Sequence, residues 1–518
     1  MEERQNQGKA ELSLYPYQRG LGLVLPVFSL PSPYGIGTMG KAAYDFIDYL
    51  KAAHIRYWQI LPLGPVAFGN SPYSALSSYG GNPLLIDLDQ LKKEGLLEEK
   101  DLADLSQGDP SRVDYSALFK TRPLVFQRAF SHFEEKVKTD LGLAHAYEIF
   151  LQENSFWLRD YALYCLIRKD QGKKPWNQWP EGLRKREKEA LKALESARQR
   201  DLQYESFLQF IFFRQWEKLK SYAKKAGVLL IGDLPIYVAM DSADAWVNPD
   251  LLQLDPEGRP LFVSGAPPDY YNQDGQKWGN PLYDWQAIRE EKNQFWINRL
   301  GFSLRLFDLL RLDHFLAYEH YWKIPAGAST AREGKWEKGP GLDFFKSLER
   351  ALGPLPLIVE DLGAIDEKVI ELREKTGFAG MCPLEFAFSS KDSPYLPHHL
   401  NRRSAAYSST HDQEPLKGWW DNQDPWRREE IREYFHLGEG ESVPWAMIRA
   451  LALSRADLCL FSFQDIAGIG EEGRINVPGT VGENWTWRMG PHYRDLGHEE
   501  KLRALSIESG RSDGKQAG

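Results

Sequence analysis

Eight short apolar runs recur along the chain, at 21–26, 56–61, 228–234, 307–313, 357–362, 381–388, 405–411 and 458–465. Each has the length of a strand and enough apolar character to lie buried in a parallel sheet, and eight is the number that a closed (β/α)8 TIM barrel requires. Between the first two runs, Ala43, Phe46, Ile47 and Leu50 follow the i, i+3, i+4, i+7 spacing of an amphipathic helix, which completes a βαβ unit. A second helix places Phe212, Trp216 and Leu219 on one face. It ends in a basic turn and Gly227, directly before the third run.

The expected organisation is one α/β barrel domain over 1–506 carrying two insertions. The stretch from about 64 to 227 is far longer than the ~2 to 6 residues of an ordinary βα connection. It is rich in helix formers, so a mostly helical insertion is expected after strand 2. A second, loop-like insertion over about 236–284 follows strand 3 and holds PPDYYNQDGQKWGNP, crowded with turn residues and aromatics. The polar segment 507–518 is expected to be a disordered tail.

Composition removes several function classes. The 518 residues are 42% hydrophobic, enough for a large core, and 64 Lys plus Arg against 73 Asp plus Glu leave a net charge of -9 without a basic block. Nucleic acid and anionic membrane surfaces are therefore not expected as partners. No apolar run approaches the ~18 to 20 residues of a membrane span. The three cysteines, Cys165, Cys382 and Cys459, lack disulfide or zinc spacing. A soluble, cytoplasmic protein is expected.

Several runs end in polar clusters: GDLP after the third, RLDHF at the fourth, VEDLG at the fifth and SSTHD at the seventh. The C-terminal strand ends of a (β/α)8 barrel converge on one mouth, so these clusters become neighbours. Taken singly, Asp313, Glu360, Asp361 and Asp412 could each cap a helix or pair with an arginine such as Arg311. Together, with His314 and His411 beside them, they point to a shared site. Two carboxyl groups across a glycosidic bond suffice for sugar transfer, and a third can stabilise developing positive charge. The chain has no HExxH helix and no compact His/Asp ligand set, so no metal is expected, and the chemistry needs no cofactor. Aromatics in AFGNSPY, PPDYYNQDGQKWG and TVGENWTW lie in loops where core burial is hard to arrange. Their rings suit the C–H face of a sugar.

These strings, from PVFSLPSPYGIGTMG to RINVPGTVGENWTWR, resemble those of the amylomaltases or disproportionating enzymes, the 4-α-glucanotransferases of glycoside hydrolase family 77. The resemblance implies that Asp313 in RLDHF is the nucleophile, Glu360 in VEDLG the general acid/base and Asp412 in THD the transition-state stabiliser. It further implies substrate contacts from Arg311, His314, His411, Asp233, Ser71, Tyr73, Asp269, Gln276, Trp278 and Asn484. The partners implied are α-1,4-glucan and malto-oligosaccharide donors and acceptors. This chain departs from the family pattern at Leu316 and Ala317, where Arg-Gly is common, and at Gln413, where Asn is usual.

The expected reaction is a retaining double displacement, with Asp313 and Glu360 carboxyls ~5 to 5.5 Å apart and an upward-shifted Glu360 pKa. Rival readings are an α-amylase-type glucan hydrolase and a non-catalytic glucan-binding protein.

Overall fold

The computed structural model describes residues 10–103, 105, 108–269 and 272–512. Twelve strands occur among them: β1 (Gly20–Val24), β2 (Tyr57–Gln59), β3 (Leu229–Leu234), β4 (Phe262–Ala266), β5 (Gln276–Pro281), β6 (Leu309–Leu312), β7 (His320–Pro325), β8 (Lys335–Lys338), β9 (Leu357–Val359), β10 (Ala379–Pro383), β11 (Ser404–Tyr407) and β12 (Leu458–Ser462). Eight of these close into a parallel barrel in the order β1-β2-β3-β6-β9-β10-β11-β12. The fold is a (β/α)8 barrel, and each barrel strand overlaps one of the eight apolar runs.

Side-chain alternation sorts the strand residues. Ile231, Leu309, Ile358, Met381, Tyr407 and Leu460 pack together inside the barrel, whereas Leu230, Leu310, Leu357 and Cys459 join the core outside it. A period of two then carries the inward set up to Asp233 above Ile231, to Arg311 and Asp313 above Leu309, and to Glu360 above Ile358. Inward positions are tight as well as apolar. A Cβ on Gly22 would come within 2.3 Å of Leu460 and 2.7 Å of Tyr57, so β1 approaches its neighbours only with glycine there.

The helix Lys41–Ala52 joins β1 to β2 and buries Ala43, Phe46, Ile47 and Leu50. Between β2 and β3 the chain runs through the helices Tyr115–Lys136, Leu141–Glu153, Leu158–Asp170, Lys188–Ala197 and Gln199–Ala226. The last stops at Gly227, whose φ of 79° forms a left-handed cap that returns the chain to β3.

Three local expectations are corrected. The segment expected to be loop over 236–284 contains the helix Ala243–Val247 and strands β4 and β5. Together with β7 and β8 these strands build a four-stranded antiparallel sheet in the order β5-β4-β7-β8. The middle of that ladder pairs β4 with β7, beyond β6 in the chain, and β5 is polar and largely exposed, so no local apolar alternation announces it. The sixth run is strand only to Pro383, and Leu384–Phe386 form a 3-10 turn that buries Leu384. An apolar run shows burial and leaves the backbone shape open.

The third correction concerns the tail. The helix His498–Glu508 runs past 506, and order continues to residue 512, while 513–518 lie outside the described residues. Arg511 explains it: its buried guanidinium donates to the carbonyls of Ala452, Asp457, Ser454 and Ala456 at 2.7 to 3.2 Å and to that of Gly20 at 3.5 Å. Arg511→Ala should therefore lower unfolding stability by about 2–4 kcal/mol, since buried acceptors lose charged donors. Urea melts would read the loss.

Candidate active site

One guanidinium organises the mouth of the barrel. Arg311, 2% exposed and pointing inward from β6, places Nη1 2.8 Å from both carboxylate oxygens of Asp233 at the end of β3. The same nitrogen lies 3.2 Å from Asp313, and Nη2 lies 3.0 Å from Glu360 after β9. Three strand ends thus deliver three carboxyls to one cation. A buried charge of this size is tolerated only with such partners. Asp233 is fully buried, whereas the side chains of Asp313 and Glu360 stay 23% and 21% exposed, open to a ligand.

Backbone turns complete the placement. His314 has φ 47°, a left-handed conformation uncommon for a side chain larger than glycine. In that conformation its N–H donates to Glu360 Oε2 at 2.8 Å, and the next N–H, of Phe315, donates to the Glu360 carbonyl at 2.9 Å. Local strain is held by two bonds to the neighbouring strand end. Leu316 and Ala317, the positions that depart from the family pattern, are buried in the following turn and add no charge to the mouth.

A second arm carries Asp412. Tyr73 donates to Asp233 at 2.7 Å and lies 3.4 Å from Arg311 Nη1, while its ring stacks on His411 with centroids 5.1 Å apart. His411 Nε2 is 3.4 Å from Asp412, and Asn476 donates to the other Asp412 oxygen at 2.6 Å. Trp485 closes against both Tyr73 and His411. Across the mouth, Trp278 on β5 meets His314 edge to face at 4.8 Å and donates to Gln276 at 3.0 Å.

The remaining expected contacts are placed as follows. Ser71 accepts the Tyr73 N–H at 3.2 Å and shapes the turn that presents that ring. Asn484 accepts from Val477 N–H and donates to Thr480, tying the loop that carries Asn476 to Asp412. Asp269 is exposed and accepts the Asn272 N–H at 2.6 Å within its own turn. Gln413 accepts the Thr410 N–H at 3.0 Å. Asp361 turns away from the mouth to Arg373 and the Met381 N–H, a structural role. Asn476 was missed by sequence reasoning. Its signal was a place in the quoted string RINVPGTVGENWTWR, but nothing local separates an amide that holds a carboxylate from one that caps a turn.

Electrostatics distinguish the carboxyls. Burial, then the neighbouring Glu360 charge, hold the Asp313 carboxyl well above the usual aspartate range. Arg311 opposes that rise without cancelling it, because its guanidinium is divided among three carboxyls. Burial alone would raise Asp412, but His411 and Asn476 outweigh it and hold that group below the ordinary range. His314 is pushed down to about 4 by burial, so it is neutral near pH 7 and can both donate to and accept from sugar hydroxyls. Among the described residues, no group of three or more His, Cys, Asp or Glu is placed to hold a metal ion.

Residues 25–493 match the family model described as 4-alpha-glucanotransferase. The chain is 42% identical over 496 residues to the 4-alpha-glucanotransferase of Thermus thermophilus, covering 94% of this chain and 98% of that protein. It is 43% identical over 477 residues to that of Aquifex aeolicus, covering 91% and 96%. An amylomaltase from Streptococcus agalactiae, solved in complex with acarbose, superposes with a TM-score of 0.93 at 35% identity, covering 96% of this chain and 100% of that one.

Proposed function

Because this chain belongs to the 4-alpha-glucanotransferase family and is an enzyme acting on α-1,4-glucans, we propose that Asp313, Glu360 and Asp412 carry out a retaining transfer between malto-oligosaccharides. The observation that carries the assignment is the single guanidinium of Arg311 holding Asp313 and Glu360 together at the rim while Asp233 lies buried beneath.

In the first half, the Asp313 carboxylate attacks the anomeric carbon while protonated Glu360 gives its proton to the glycosidic oxygen. The C–O bond breaks, the leaving chain departs with a free 4-hydroxyl, and a glycosyl ester remains on Asp313. In the second half, Glu360 takes the proton from an acceptor 4-hydroxyl, whose oxygen attacks the anomeric carbon and releases the Asp313 carboxylate. The reaction requires a proton on Glu360 when the glycosidic oxygen arrives, while Asp313 attacks as the carboxylate. Asp412 stays anionic throughout, suited to stabilise an oxocarbenium-like transition state. No helix among the described residues is long and apolar enough to cross a membrane. We place the enzyme in the cytoplasm, a setting that the free thiols of Cys165, Cys382 and Cys459 suit.

Incubation with maltotriose tests the function: a ladder of longer and shorter chains plus glucose is expected, and products that only shorten would favour a hydrolase. Transfer must outrun water, and Trp278, 40% exposed beside His314, is positioned to bind an acceptor ring. Trp278→Ala should lose about 1–2 kcal/mol of acceptor binding and raise the ratio of hydrolysis to transfer about 5- to 30-fold. The ratio is read from free reducing ends against chain-length redistribution. An unchanged ratio would remove Trp278 from the acceptor site.

A further inference from the structure

We infer that Asp465, just past the eighth barrel strand, is a positioning residue that holds Asp412 at the height the reaction needs. It is 4% exposed, and three donors converge on its carboxylate: Ser408 Oγ and Ser409 Oγ on one oxygen and the Leu416 N–H on the other, each at 2.6 Å. Residues 409 and 416 are thereby tied to one anion, and the segment between them contains His411 and Asp412. A carboxylate accepts several hydrogen bonds at fixed angles, which makes it a stiff clamp for a loop with no strand of its own.

The neighbouring bonds reinforce the clamp from the same strand. Ser462 at the end of β12 donates its N–H to Ser408 Oγ at 3.1 Å and its hydroxyl to the Ser409 carbonyl at 3.0 Å. Outside the clamp, Asp412 itself is held at its tip, by Asn476 at 2.6 Å and His411 at 3.4 Å. Those contacts orient the carboxyl group, whereas Asp465 sets the backbone from which it projects. Asp465 is itself buried with both carboxylate oxygens taken by protein donors, so its influence runs through the loop.

This inference rests on Asp412 acting as the stabilising carboxylate. The experiment compares Asp465→Asn, Ser409→Ala and Asp412→Asn in the full-length enzyme, with maltotriose kinetics and thermal melting measured on each. Asparagine keeps the shape but turns one acceptor into a donor against groups that also donate. A displacement near 1 Å can cost about 100-fold in rate, so kcat for Asp465→Asn should fall about 10- to 100-fold. KM should stay within about twofold, because a misplaced stabiliser lowers transition-state binding without touching ground-state binding. Ser409→Ala removes one donor and should show the same split at roughly a third of the logarithmic loss.

A Ser409→Ala enzyme with unchanged kcat would overturn the clamp even if Asp465→Asn fails to fold. So would an Asp465→Asn enzyme that folds and keeps kcat within about twofold, or one whose loss lies in KM. An active Asp412→Asn would instead overturn the role given to Asp412. Inactive Asp412→Asn beside fully active Asp465→Asn would remove the clamp alone.

Discussion

Asp313→Asn is expected to abolish glucan transfer, with kcat on maltotriose lower by on the order of 10⁴-fold or more, which is about 5.5 kcal/mol of lost transition-state stabilisation. The amide cannot form the glycosyl ester, and the remaining groups can only bind sugar. The same substitution should not destabilise the fold. Asp313 carries its proton to higher pH in the folded chain than in the unfolded one, because burial and Glu360 oppose its charge. Its folded pKa lies above the unfolded value, so ionisation costs stability progressively as pH rises from the ordinary aspartate range into the shifted one, and the cost is fully present above both. A neutral amide avoids that cost. Asp313→Asn should therefore melt no lower than the parent at pH 7. Residual transfer within about tenfold of the parent would remove Asp313 from the nucleophile's role.

Glu360→Gln should lower kcat with maltotriose by about 10²- to 10⁴-fold, the usual contribution of a positioned acid/base group. A donor with fluoride as leaving group needs no proton, so formation of the glycosyl-enzyme should recover with it. The pH profile of kcat/KM with that donor then separates the two carboxyls. Its basic limb, set by loss of the Glu360 proton, should vanish. Its acid limb, set by ionisation of Asp313 while Glu360 is still protonated, should stay near its place in the parent, because the amide is as neutral as the acid it replaces. Burial continues to raise Asp313 in the variant, so the limb should lie above that of an ordinary aspartate. A basic limb that stays in place would mean that another group is the acid.

Much of this molecule was legible as a sequence. The barrel strands announced themselves because a strand buried on both faces must be apolar along its whole length, and the strand ends announced themselves because acids beside apolar runs are costly without partners. On that ground Asp313, Glu360, Asp361 and Asp412 stood out together, and it was the family resemblance that singled out Asp313, Glu360 and Asp412. The antiparallel sheet at the mouth could not: β5 is exposed and polar, and its companion β4 finds its other partner past an intervening barrel strand. Asp465 ended an apolar run as the other acids did. It was passed over because the string around it, FSFQDIAG, offers no second charged group or histidine to mark a site.

The chain's pattern by itself determined the barrel and the small set of acids at its rim, since burial and periodicity are local properties that every buried strand must display. Only the tertiary structure decided how charge is shared among those acids. Burial and the Glu360 charge raise the Asp313 pKa against the pull of Arg311, which is divided among three carboxyls from three strands, and Asn476 and His411 hold Asp412 anionic. Proton affinity depends on distances between residues far apart in the chain, and those distances exist only once the strands have closed.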